Sequence, residues 1–153
     1  MSDIQLPNGF AWADDIQLGS PEVYRLSQLS WPRFLLEESD HANPLLKFHI
    51  SARDFKERFR VYGIRNSNRQ LVAFIQAVLV EIDLDEVELP KMGWRFSIAD
   101  AAKPSKKNAV SLVEVSIGPQ FRGHGLAKAL IEHAKRIAKL ERFSHLIAPV
   151  RPT

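Results

Sequence analysis

Between residues 109 and 140 the apolar pattern changes its period, from a β-branched run to a helical repeat, with one short turn between. AVSLVEVSI, residues 109–117, is rich in β-branched residues and bounded by Lys106, Lys107 and Asn108, which reads as a strand. Beyond the turn, Leu126, Leu130, Ala134 and Ile137 recur at helical spacing, with Lys128, Lys135, Arg136 and Lys139 among them. That spacing predicts a helix of about four turns over 125–140. The turn itself, GPQFRGHG, carries a proline and three glycines. A strand that feeds a helix so directly commits the chain to a layered fold of sheet and helices.

The rest of the chain extends that frame. Ser20-Pro21-Glu22 places a capping serine before a proline at a first helical position, and Val23, Leu26 and Leu29 continue the helix up to Trp31-Pro32. A second helical piece, RFLLEESD, and a capping box at Ser51-Ala52-Arg53-Asp54 follow. FRVYGIRN (59–66) and LVAFIQAVLVEI (71–82) flank the polar SNRQ and predict an antiparallel hairpin. The second run is apolar nearly throughout and belongs in the middle of a sheet. Segment 90–108 reads as an excursion with a short helix around WRFSIADAA, and SHLIAPV (144–150) as the last strand. The expected class is α/β (α+β).

Composition narrows the function classes. The 153 residues are 45% hydrophobic and 25% charged, the balance of an ordinary globular domain. There is no cysteine, so disulfide scaffolds and thiolate chemistry are excluded. MSDIQLPNGF lacks the basic and apolar regions of a secretory signal, and no apolar stretch reaches the roughly 20 residues that span a bilayer. A cytoplasmic location, without membrane contact, is expected. The net charge of +3 suits an anionic small ligand, and its scatter speaks against nucleic acid.

Glycines at 123 and 125 flank the helix start, where free N–H groups and the helix dipole favour a phosphate. The plain alternative is a tight connection and nothing more. Familiar phosphate motifs fail: no Gly-Lys-Ser/Thr is present, and Lys128 stands where G-x-G-x-x-G needs its third glycine. Gln120-Phe121-Arg122-Gly123-His124-Gly125 does match Q/R-x-x-G-x-G/A, between a strand ending Ile117-Gly118-Pro119 and an amphipathic helix. This resembles the acyl-CoA pyrophosphate loop of the GNAT superfamily of N-acyltransferases, loosely over most of the chain and closely over 109–150.

The resemblance implies a mixed, mostly antiparallel sheet flanked by helices in a single domain over 1–153. It also implies acetyl-CoA as co-substrate. The amides of Arg122, Gly123, His124, Gly125, Leu126 and Ala127 would bind the pyrophosphate, with Gln120 shaping the loop entrance. Backbone groups of Val115, Ser116 and Ile117 would meet the pantetheine arm. GNAT domains normally continue through another helix and two strands, so the domain is expected to be incomplete at its C-terminus. That region often supplies a tyrosine acid, and the tyrosines here, Tyr24 and Tyr62, lie upstream.

Transfer to an amine needs a base, and Glu114 is the only carboxylate in the strand. Alternation puts Leu112, Glu114 and Ser116 on one face, opposite Val113, Val115 and Ile117. Near the core such a glutamate has a raised pKa, which suits a base; a structural pairing with Lys or Arg is the equal alternative. His41, His49, His133 and His145 show no metal-ligand spacing, and no metal is expected. Trp12, Trp31 and Trp94 read as core or lid residues. The leading function is acetyl transfer to a primary amine, on a small molecule or a protein, in a chain compatible with a homodimer. The alternative is a non-catalytic module that binds acyl-CoA or a protein partner.

Overall fold

The computed structural model describes residues 4–17, 19–30, 56–85, 97 and 99–149. The helical piece expected at 33–40, the capping box at 51–54, Trp31 and Trp94 lie outside them. Five strands form one sheet in the order β1 (Phe10–Ala13), β2 (Phe59–Asn66), β3 (Leu71–Val80), β4 (Ala109–Ile117) and β5 (His145–Ile147). All neighbours are antiparallel except β4 and β5, which run parallel. Helices α1 (Pro21–Ser30) and α2 (Leu126–Leu140) complete the frame. This is the expected α+β class with a mostly antiparallel sheet.

β3 is the central strand, and every residue of it is buried. Its turn from β2 is set by Asn66, whose Oδ1 accepts the amides of Asn68 and Gln70, each at 3.0 Å. On one face of the sheet, Leu126, Leu130, Ala134 and Ala138 of α2 pack against Ala73, Ile75, Ala77, Leu79, Val110 and Leu112. On the other, Val23 and Leu26 of α1 cover Leu71 and Phe74. Ser20 Oγ receives the Val23 amide at the head of α1.

One expectation needs correction. Gln76 stands opposite Glu114 and Ala77 opposite Leu112, so β4 holds Val113 as the extra residue of a bulge. A bulge shifts alternation by one. Leu112, Val115 and Ile117 therefore share the α2 face, while Val113, Glu114 and Ser116 turn the other way. Leu112 does not accompany Glu114.

Two polar straps tie the layers. Arg65 on β2 donates to both oxygens of Glu22 on α1, at 2.8 and 2.9 Å, and through Nε to Asp15 at 3.0 Å. In the excursion, Ser97 and residues 99–101 are helical, and Asp100 pairs with Lys107 at 3.4 Å with both side chains nearly buried. Asp100 Oδ2 also accepts the Glu81 amide at 2.7 Å, which fastens the excursion to the end of β3.

Candidate active site

β4 ends in a turn that the protein holds from three sides. The Gly118 amide donates to Val72 O at 2.8 Å, extending the sheet contact past the strand. A Cβ at Gly118 would stand 3.1 Å from Phe121 and 3.3 Å from Val72 O, so this position has little room for a larger residue. Pro119–Phe121 then forms a 3-10 turn, closed by Phe121 N donating to Gly118 O at 2.8 Å. Phe10 of β1 packs edge-on against Phe121 and His124, with centroids 6.2 and 5.5 Å away. His124 Nδ1 lies 3.1 Å from Phe121 O, so its ring folds back on the turn. Arg122 Nη2 donates to Ser30 O at the end of α1, at 3.2 Å.

The residues after Phe121 face outward. Gln120, Arg122, Gly123, His124 and Gly125 are exposed, Ala127 is half-buried, and Leu126 is buried in the α2 core. Gly123 and Gly125 have φ of 85° and 75°, the left-handed region that glycine enters without steric cost. A Cβ on either would meet no protein atom within 4 Å. Helix α2 starts at Leu126 without a side-chain cap. Its first amides have no carbonyl four residues back within the helix, and no side chain caps them. An anion fits there chemically.

Beside the turn, the sheet divides. β5 pairs with β4 only at Ala109, Val110 and Ser111. Among the described residues no strand joins β4 on that side from Leu112 to Ile117. Backbone donors and acceptors along that edge can receive an extended chain, the way a further strand would be added. Val115 and Ile117 are half-buried at the edge on the α2 face, and Ser116 is buried on the α1 face.

Glu114 points under α1 and is 3% exposed. Its Oε1 accepts the hydroxyl of Ser27 on α1 at 2.5 Å and that of Ser116 at 2.8 Å. Two hydroxyls are thus among the partners of its side chain. Glu114, Val115, Ser116, Ile117, Gln120 and the loop from Arg122 to Ala127 are brought together at one end of the sheet. Ser27 and Gln76, also buried here, were missed from the sequence. Each was visible as a polar residue inside an apolar pattern, Ser27 in the stripe Val23-Leu26 and Gln76 within LVAFIQAVLV.

The other candidates stand apart. Tyr62 packs against His133 at 4.9 Å on the α2 face, across the sheet from Glu114. Burial, and then the Glu141 carboxylate, push its phenol up to about 12, against the opposing pull of Arg60. Trp12 stacks on His133 at 4.3 Å and donates Nε1–H to Ile4 O, so it is a packing residue. Tyr24 accepts a hydrogen bond from Gln28 on the same helix. Among the described residues no group of three acidic or histidine side chains could hold a metal, and no helix is long and apolar enough to cross a membrane.

Comparison with solved structures finds the same fold. AAC(6')-Iy, in complex with the bisubstrate analogue CoA-S-monomethyl-acetylneamine, superposes with a TM-score of 0.60 at 13% identity, over 94% of this chain and 80% of that one. The aminoglycoside 6'-N-acetyltransferase AAC(6')-Ih of Acinetobacter baumannii gives 0.60 at 14% identity, with the same coverage. The PaiA N-acetyltransferase of Thermoplasma acidophilum, in complex with coenzyme A, gives 0.54 at 10% identity, over 88% of this chain and 74% of that one. No curated protein matches the sequence. The sequence model described as Acetyltransferase (GNAT) family matches residues 21–153, which include α1, the bulged strand and the open glycine loop. The chain therefore belongs to the GNAT acetyltransferase family.

Proposed function

We propose that this protein transfers an acetyl group from acetyl-CoA to a primary amine. The observation that carries the reading is the open loop after β4. Two left-handed glycines, each with open space where a Cβ would stand, lead into an uncapped helix start, beside a strand edge that β5 leaves unpaired. Family membership supports the reaction class. In this reading the amides of Arg122, Gly123, His124, Gly125, Leu126 and Ala127 hold the pyrophosphate of acetyl-CoA. Gln120 shapes the entrance, and the backbone of Val115, Ser116 and Ile117 lines the pantetheine arm. The thioester carbonyl then lies along β4, close to Glu114.

Glu114 takes the proton that frees the amine for attack. The hydroxyls of Ser27 and Ser116 fix Oε1 and so orient the carboxyl group. Aminoglycosides are the first candidate acceptors, because a fold neighbour is an aminoglycoside 6'-N-acetyltransferase. Calorimetric titration with acetyl-CoA tests the binding half, and release of free CoA thiol across a panel of aminoglycosides and other amines tests transfer. Glu114→Gln should retain acetyl-CoA affinity and lose roughly 10²–10⁴-fold in turnover.

One observation favours a second reading, a module that binds acyl-CoA without catalysis: Glu114 is 3% exposed and held by two hydroxyls, as a structural glutamate would be. In that case Glu114→Gln lowers the melting temperature, and no amine in the panel releases thiol from the unsubstituted protein.

A further inference from the structure

Gln76 is the one polar side chain in β3, and it is 0% exposed. Among the described residues, neither its Oε1 nor its Nε2 has a hydrogen-bond partner. Buried amides are rarely left so, because the water they give up must be replaced by something that bonds them. The side chain is also well placed. Phe74, two residues before it, packs with Val23 and Leu26 of α1, whereas Ile75 and Ala77 on either side pack with α2. Gln76 thus lies on the α1 face, and its register partner is Glu114. Residues directly opposite in an antiparallel pair have Cβ atoms about 4.5–5.5 Å apart on one face. The orphaned carboxamide and the proposed base are therefore neighbours in the same buried layer, with Ser27 and Ser116.

The chemistry of the amide selects its partner. Oε1 accepts and Nε2 donates, so an ammonium would satisfy only the first and a carboxylate only the second. Water does both, and a buried water typically makes about three hydrogen bonds to polar groups that lack other partners. We propose that Gln76 is a positioning residue that holds a buried water against Glu114, and that the base works through this water. The proposal rests on the reading of Glu114 as the base. The acceptor ammonium gives a proton to the water, which passes one of its own to the Glu114 carboxylate. The freed amine attacks the thioester carbonyl, the C–N bond forms and the C–S bond breaks. The departing thiolate takes the proton that the nitrogen sheds, and protonated Glu114 returns its proton to solvent once product has left.

Gln76→Met keeps the volume and removes both polar groups. With acetyl-CoA and the best amine of the aminoglycoside panel, kcat should fall at least tenfold, while KM for acetyl-CoA and the melting temperature hold or the latter rises. In the Glu114→Gln background the same change should cost nothing further, since both act on one step. Full kcat in Gln76→Met beside a slow Glu114→Gln overturns the water and leaves the base standing. Full kcat in Glu114→Gln overturns the base and the water with it, and losses that multiply in the double variant make Gln76 structural only. Should Gln76→Met fail to fold, or no amine react, a high-resolution crystal structure of the unsubstituted protein decides. A water within about 2.6–3.2 Å of both Gln76 and Glu114 is expected; a dry contact, or a protein group bonding the amide, overturns the proposal.

Discussion

Alanine at Gly123 or Gly125 separates the loop's backbone requirement from its ligand requirement. Both glycines have positive φ, and a Cβ on either would meet no protein atom within 4 Å. The only cost in the free protein is therefore the left-handed conformation, roughly 1–2 kcal/mol for an L-residue. Reduced freedom of the unfolded chain returns about 0.4–1 kcal/mol. The net loss of about 1 kcal/mol lowers the melting temperature by about 2–4 °C for a chain of this size. Gly9 supplies the control, with φ of +88 and equally open space. Gly9→Ala should show the same thermal shift and bind coenzyme A normally. If the open space holds a pyrophosphate, the two loop variants should in addition lose at least tenfold in calorimetric affinity, which corresponds to about 1.4 kcal/mol. Thermal shifts like that of Gly9→Ala, with unchanged affinity for coenzyme A, would remove the loop as the binding site.

Arg65 holds the carboxyls of Asp15 and Glu22 below their ordinary range, chiefly through its side-chain hydrogen bonds. The sign follows from the lowered folded-state values: the stabilisation is complete above the unfolded pKa values, near 4, and is lost as pH falls through the folded ones. Between pH 5 and 3 the melting temperature should fall less steeply in Arg65→Met than in the unsubstituted protein, and parallel curves would refute this. Lys107→Met strands the buried Asp100 carboxylate and should cost about 3 kcal/mol in urea unfolding; a loss under 1 kcal/mol would mean that water reaches the pair. Phe10→Ala removes the brace behind Phe121 and His124 without touching the open face of the loop. It should speed amide hydrogen exchange at residues 120–125 and weaken coenzyme A binding together, and unchanged exchange would assign the brace to other contacts.

The ends of β2 and β4 were legible because polar SNRQ follows β2, and Asn108 and Gly118-Pro119 bound the β-branched run of β4. β3 declared its central place by being apolar on both faces. The start of α1 was written in Ser20-Pro21, and the start of α2 in Gly125. β1 was not legible: FAWA is four residues long, too short for a period, and only its pairing with Phe59–Asn66 makes it a strand. Its contribution to the site, Phe10 against the loop, is tertiary in origin and leaves no local trace. Gln76 and Ser27 could have been noticed as polar residues in apolar settings, but which side chain each would meet depends on the register between distant strands and helices.

The bulge at Val113 was the least legible element and has the largest consequence for the site. Nothing in AVSLVEVSI marks one valine as extra, since a bulge in a β-branched run keeps both composition and apparent alternation. Without it, strict alternation from Leu112 would carry Glu114 and Ser116 onto the α2 face, among Leu126, Leu130 and Ile75. There the carboxyl would meet a largely apolar layer, and burial without partners would cost several kcal/mol. With the bulge, the same two side chains turn toward Ser27 and Gln76, while Val115 and Ile117 join the apolar layer. One added residue therefore sorts polar from apolar at the end of β4. It does so just where β5 leaves the strand, so that the buried acid and the open backbone edge come to lie side by side.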